Sequence, residues 1–157
     1  MLIRKADIKD CSELSNVAYE SKAHWGYSED FMTQCKDDLT ITEEDVKEKL
    51  TYLVEDNSHI VGFYCLCLFE QSNSSVGDLE ALFIRPSGIG KGFGKMLWED
   101  IVSRAKKHNV SSFKIDSDPY AENFYIRMGA RRIGEVNSTV FSDRKLPLLE
   151  YVIPVTR

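Results

Sequence analysis

No stretch of this 157-residue chain is apolar for long enough to cross a bilayer, so no membrane partner is expected. Basic residues are not in excess: 20 Lys and Arg stand against 25 Asp and Glu, a formal net charge of -5. Nucleic-acid binding relies on cations facing phosphates, so no nucleic-acid partner is expected either. A mildly acidic surface instead favours a cationic substrate. The four cysteines contain no C-x-x-C pair, and the three histidines, His24, His59 and His108, are scattered, which argues against a zinc site. Cys65 and Cys67 lie in an apolar run on one strand face, and all four cysteines read as reduced, mostly buried thiols. The opening MLIRKADIKD turns charged too soon for a secretory signal, so a cytoplasmic location is expected. There is no repeat, no low-complexity tract and no interdomain linker.

What is present suits one domain spanning residues 1–157. Apolar residues make up 43% and charged ones 29%, the balance of a packed protein whose core needs no disulfide staples.

The pattern along the chain alternates between periods. Leu2 to Arg4 reads as a short strand. Asp7 caps a helix to about Ser21, with Ile8, Cys11, Leu14, Val17 and Ala18 on one face. Ser28 caps a second helix, Glu29 to Cys35, and Thr42 before Glu43, Glu44 and Asp45 opens a third. The next strands are Tyr52 to Val54, Ile60 to Phe69 and Leu79 to Ile84, separated by turns at 56–58 and 71–75, the simplest reading being an antiparallel meander. Phe93, Met96, Leu97, Ile101, Val102 and Ala105 recur at helical spacing up to Lys107. A strand over Ser112 to Ile115 follows. Asp118-Pro119 starts another helix, with Asp as cap and Pro in the first turn, and Gly129 ends it. Strands over Ala130 to Val136 and Leu148 to Val155 close the chain. The order defines an α/β fold with a mixed sheet.

Four glycines, Gly88, Gly90, Gly92 and Gly94, alternate where a strand turns into a helix. Glycine permits a sharp turn and a close ligand approach. A helix start carries unpaired amides and a positive dipole end, and together these suit a phosphate. No register fits the dinucleotide pattern G-x-G-x-x-G, because Gly88 and Gly90 would need glycine at Phe93. A Walker loop fails as well: Arg85 and Ile89 occupy the places of its first glycine. The flanking strands read as antiparallel, unlike the βαβ unit of a dinucleotide fold.

This turn resembles the [Q/R]-x-x-G-x-[G/A] signature of the GNAT superfamily of acyl-CoA-dependent N-acetyltransferases. Gly92 and Gly94 match the small positions, and Ile89 stands at the Gln/Arg position as a departure. Downstream, 118–130 is similar to the family's N-x-x-A-x-x-[FL]-Y-x-x-x-G-[FA] helix. Ala121, Phe124, Tyr125 and Gly129 match, and Asp118 replaces the usual Asn. The segments 79–86 and 131–135 with Leu146-Pro147 resemble small single-domain bacterial-type members. The order of elements fits the family over essentially the whole chain.

The resemblance implies a central, mostly antiparallel sheet flanked by helices, with a splayed strand pair that admits acetyl-CoA. It implies that the backbone of Leu82, Phe83 and Ile84 pairs with pantetheine, one amide also steadying the oxyanion. It further implies that Ile89, Gly90, Lys91, Gly92, Phe93, Gly94 and Lys95 surround the diphosphate, and that Asp118, Ala121 and Phe124 belong to the cofactor side. Tyr125 is the candidate general acid for the departing thiolate. Glu80 is the best candidate base for the protonated amine, with Asp78 in reserve and Glu20 and His24 as remoter choices. His24, Trp25 and Tyr27 are candidates to line the acceptor site, aromatic faces attracting a cation. The expected reaction is direct acetyl transfer to a primary amine of a small molecule or peptide in a ternary complex. Polyamine, aminoglycoside, amino acid and protein amine all remain open as acceptors, and so does a monomer or a homodimer. The competing reading is a non-catalytic CoA-binding regulatory module.

Overall fold

The structure, a computed structural model, describes residues 1–71 and 73–155. Seven strands form one sheet in the order β1-β2-β3-β4-β5-β7-β6. They are β1 (Leu2–Lys5), β2 (Leu50–Asp56), β3 (His59–Gln71), β4 (Ser74–Ile84), β5 (Val110–Asp116), β6 (Arg131–Asn137) and β7 (Lys145–Val152). The helices are α1 (Cys11–Ala23), α2 (Glu29–Cys35), α3 (Glu43–Glu48), α4 (Phe93–Lys107) and α5 (Glu122–Arg127). The β1–β2, β2–β3, β5–β7 and β6–β7 ladders are antiparallel, and β4–β5 is parallel. Backbone contacts divide the chain into two units, Met1–Leu66 with Ala81–Leu97, and Cys67–Glu80 with the chain from Trp98 onward.

In the first unit, side-chain caps set the helix starts. The Asp7 side chain accepts from Lys9 N and forms a capping box with Asp10 around a single 3-10 turn, after which α1 begins at Cys11. Ser28 accepts from Phe31 N at 3.1 Å to open α2. Thr42 and Asp45 form the capping box of α3. Asn57 and Ser58 take φ of 53° and 67°, the left-handed pair a tight hairpin turn requires. Leu14, Val17 and Ala18 of α1, Leu53 and Val54 of β2, and Phe63, Tyr64 and Leu66 of β3 are fully buried. Burying such a face is the main source of stability, at ~25 cal/mol per Å² of apolar area.

In the second unit, Trp98, Ile101 and Ala105 of α4 are buried, as are Phe113 and Ile115, which alternate along β5. Gly129 at φ 106° ends α5, with Ala130 N bonding Tyr125 O at 3.0 Å and Gly129 N bonding Ile126 O at 3.0 Å. That is the pairing of a Schellman stop. Phe113 faces Tyr151 across the β5–β7 ladder.

Several elements differ from the sequence reading. The strands flanking the glycine turn, β4 and β5, are parallel, not antiparallel. Apolar periodicity carries no strand direction, and the intervening α4 is long enough to return the chain for parallel pairing. The turn expected at 71–75 is shorter, because β3 reaches Gln71 and β4 begins at Ser74; Ser72 lies outside the described residues. The helix expected from Asp118 starts at Glu122. Asp118 spends its carboxylate on Tyr120 N, at 2.9 Å, and its carbonyl on Ala121 N, so residues 118–121 form a turn. The last strand runs from Lys145 to Val152, since Pro147 is paired opposite Glu135 instead of preceding the ladder. None of the four cysteines forms a disulfide: Cys35 and Cys65 are buried, Cys11 and Cys67 half-buried. Among the described residues, no helix is long and apolar enough to cross a membrane.

Candidate active site

The glycine turn leaves β4 at Ile84, makes a 3-10 turn over Pro86–Gly88 and enters α4 at Phe93. Gly90 and Gly92 have φ of 80° and 83°, and a Cβ at either would meet nothing within 4 Å. Backbone conformation, not crowding, demands glycine there, and the surroundings are open. Gly88 is different: a Cβ would lie 3.2 Å from the Phe93 ring and 3.3 Å from Ile84. Phe93 is buried and anchors the turn from the helix side. Met96 N bonds Gly92 O at 3.1 Å, the first bond of the helical ladder. The amides of Phe93, Gly94 and Lys95 precede that bond and have no backbone acceptor among the described residues. Three amide dipoles and the helix end therefore favour an anion, with Lys91 and Lys95 exposed on either side. Ile89 is 52% exposed and presents no donor of its own beyond the backbone.

Leu82, Phe83 and Ile84 at the end of β4 are half-buried. The parallel ladder to β5 joins Ser75 with Val110 and ends at Asp78 opposite Lys114, whereas β4 continues to Ile84. On the β3 side the strand approaches closely: a Cβ on Gly62 would sit 2.9 Å from Phe83 O and 2.7 Å from Ile84 Cδ1. Glycine at 62 is thus a steric requirement for the path of this strand end.

In the second unit Tyr125 is 6% exposed, its ring 5.9 Å from Trp98 and 5.5 Å from Phe124. Burial, then the nearby Asp118 charge, holds its phenol well above the ordinary tyrosine range. Among the described residues no hydrogen bond engages its hydroxyl. The group is a neutral O–H donor across the usual working pH. Ala121 and Phe124 are half-buried, and Asp118 is occupied in its turn.

Glu80 is exposed on β4 between buried Leu79 and Ala81, and Asp78 shares its outward face. Desolvation, then the charge of Asp116, raises the Asp78 carboxyl above its usual range, and desolvation raises Asp116 as well. A carboxylate so shifted is a better proton acceptor than an ordinary one.

An open cleft of about 520 Å³ in the first unit is lined by Tyr19, Glu20 and Ala23 of α1, by His24 at its C-terminal cap, and by Arg85, Pro86 and Ser87 after β4. Of the residues expected around an acceptor, His24 lines this cleft; Trp25 and Tyr27 do not. Trp25 is 40% exposed, and Tyr27 stacks on Phe31 at 4.2 Å with the Lys22 ammonium 5.4 Å from its ring. Arg85 is the residue that the sequence reading passed over. Its only signal was a cation directly after the strand, and its partners Glu13 and Glu20 are remote in sequence, though two turns apart on one helix face.

The family model described as an acetyltransferase (GNAT) domain matches residues 9–141, through both units. The chain belongs to the GNAT acetyltransferase family. Its fold is shared by a GCN5-related N-acetyltransferase from Rhodopseudomonas palustris, with a TM-score of 0.78, 15% identity, and 96% of this chain and 94% of that one covered. A ribosomal-protein-S18-alanine N-acetyltransferase from Escherichia coli matches with a TM-score of 0.72, 13% identity and coverage of 99% and 96%. PaiA N-acetyltransferase from Thermoplasma acidophilum, solved in complex with coenzyme A, matches with a TM-score of 0.70, 18% identity and coverage of 96% and 98%.

Proposed function

We propose that the whole chain acts as one N-acetyltransferase domain that moves an acetyl group from acetyl-CoA to a primary amine. The observation that carries this is the turn at Gly90 and Gly92, which leaves the amides of Phe93, Gly94 and Lys95 without backbone acceptors in open surroundings. Those amides bind the diphosphate, Ile89 to Lys95 enclose it, and Lys91 or Lys95 adds a counter-charge. The backbone of Leu82, Phe83 and Ile84 pairs with the pantetheine arm, while Asp118, Ala121 and Phe124 bound the cofactor on the α5 side. When bound, acetyl-CoA supplies the thioester whose acetyl carbon gains a C–N bond as the C–S bond breaks.

The chain's own groups manage the protons. Glu80, or Asp78 in its place, takes a proton from the ammonium of the acceptor so that the nitrogen lone pair is available. Tyr125 donates a hydrogen bond or proton to the departing sulfur. A phenol kept neutral by burial suits a donor and not a base, which supports this assignment. His24, followed in the chain by Trp25 and Tyr27, bounds the acceptor side. The test is turnover of acetyl-CoA with a panel of primary amines, followed by release of free thiol. Amine-dependent thiol release at one acetyl per thiol is expected; tight CoA binding with no thiol release from any amine would overturn the catalytic reading.

A further inference from the structure

Arg85 sits between two carboxylates without bonding well to either. Its Nη2 is 3.6 Å from Glu13 Oε1 and its Nε is 3.6 Å from Glu20 Oε2. Both distances exceed hydrogen-bond range. The Nε atom is buried and, among the described residues, has no hydrogen-bond partner. An unused buried donor on a cation is costly, so it is a feature that a ligand can exploit. The Arg85 side chain as a whole is 26% exposed, and it lines the cleft together with Glu20 and His24. The two glutamates are about half exposed, so each can turn toward a ligand.

We propose that this cleft binds the acceptor as a zwitterion: an amino-carboxylate, with its carboxylate on the Arg85 fork and its ammonium on Glu20. The proposal rests on the acetyl-transfer reading and names the substrate class for it. Charge decides between the candidates. Glu13, Glu20 and Arg85 sum to one net negative charge, so a purely anionic ligand is repelled. A polyamine pairs the glutamates but strips Arg85 of its counter-charges and leaves Nε without an acceptor. A zwitterion satisfies both signs at once. Its carboxylate takes the planar donor edge of the guanidinium in the bidentate manner that lysine cannot reproduce. Glu20, released from Arg85, accepts from the ammonium. His24, one helical turn beyond Glu20, borders the same space.

The test uses the full chain with free L-amino acids, their carboxamides and the matched decarboxylated amines, rates being referred to the deprotonated amine. Loss of the carboxylate is expected to lower kcat/KM about ten- to a hundredfold in the wild type, the usual worth of a charge-assisted hydrogen bond. Arg85→Gln is expected to erase that difference while leaving the KM for acetyl-CoA unchanged, and Arg85→Lys to restore it only in part. A thermal melt of each variant checks folding, and the wild-type comparison stands without any variant. If carboxamides and plain amines are acetylated as well as the amino acids, the zwitterion assignment is overturned and the acetyl-transfer reading survives. If acetyl-CoA does not bind at all, that reading falls and this one with it.

Discussion

The ring of Trp98 lies 5.9 Å from that of Tyr125 and tilts 52° to it, while the same indole meets Tyr151 edge-on at 5.1 Å and Phe113 at 5.5 Å. One side chain of α4 thus ties α5, β5 and β7 of the second unit and fixes where the Tyr125 phenol points. Tyr125→Phe keeps these ring contacts and removes only the donor. It is expected to lower kcat by ~10–10³-fold with little change in melting temperature or CoA affinity. Trp98→Ala is expected to cost about 3–5 kcal/mol of stability in denaturant titration. The two variants separate chemistry from packing.

Burial and then the Asp118 charge also raise the pKa of Tyr125 above the ordinary tyrosine value. A group whose folded pKa is raised stabilises the fold below its ordinary value and ceases to do so as pH climbs through the folded one. Alkaline difference spectra of wild type against Tyr125→Phe should therefore show its phenolate appearing only as the protein unfolds.

Glycine positions in the candidate site make two distinct predictions. Gly92→Ala places a Cβ on a residue at φ 83°, at a cost of ~1–2 kcal/mol or a re-formed turn, and is expected to raise the KM for acetyl-CoA more than it lowers kcat. Gly62→Ala drives a Cβ to 2.9 Å from Phe83 O, a backbone atom that cannot step aside alone. It is expected to destabilise the protein by about 1–3 kcal/mol, read by denaturant unfolding, and to displace the end of β4.

Acid stability has a defined sign. The Arg4 side chain, first by hydrogen bond, lowers the pKa of Asp10; at Asp45 desolvation is the largest single effect and raises the pKa, but Lys49 and the Thr42 amide together outweigh it and leave the pKa lowered. Both carboxylates stabilise the fold above the ordinary aspartate value of about 3.9, and that stability is lost as pH falls through their lower folded values. Asp78 and Asp116 are shifted the other way, so their contribution fades as pH rises past the ordinary value. Asp10→Asn is expected to be less stable than wild type at pH 7 and to converge with it under acid; Asp78→Asn is expected to be as stable or more stable at pH 7. Melting curves across pH check both.

Local chemistry was the legible part of this fold. Ser28, Thr42 and Gly129 act where their side chains or φ preferences say they should, because a cap or stop is decided within a few residues. The same locality made the glycine turn that opens α4 visible, and Gly90 and Gly92 take the positive φ it needs. Strand direction was not legible: the apolar alternation of β5 is the same whether it pairs parallel or antiparallel. Ser74 and Ser75 read as turn residues although they begin β4, since the ladder to β5 overrides their propensity. Asp118 read as a cap, but its carboxylate reached Tyr120 N first. Arg85 escaped notice because its glutamates are distant in sequence, and only the folded chain brings them to 3.6 Å.

Isothermal titration of the full chain with acetyl-CoA, repeated on Gly92→Ala, tests the core of the account. Saturable one-to-one binding that weakens about tenfold or more in the variant, with both proteins melting cooperatively, is the predicted result. No heat from the wild type, or equal affinity in the two, would contradict the assignment of the helix amides at Phe93, Gly94 and Lys95 as the diphosphate site.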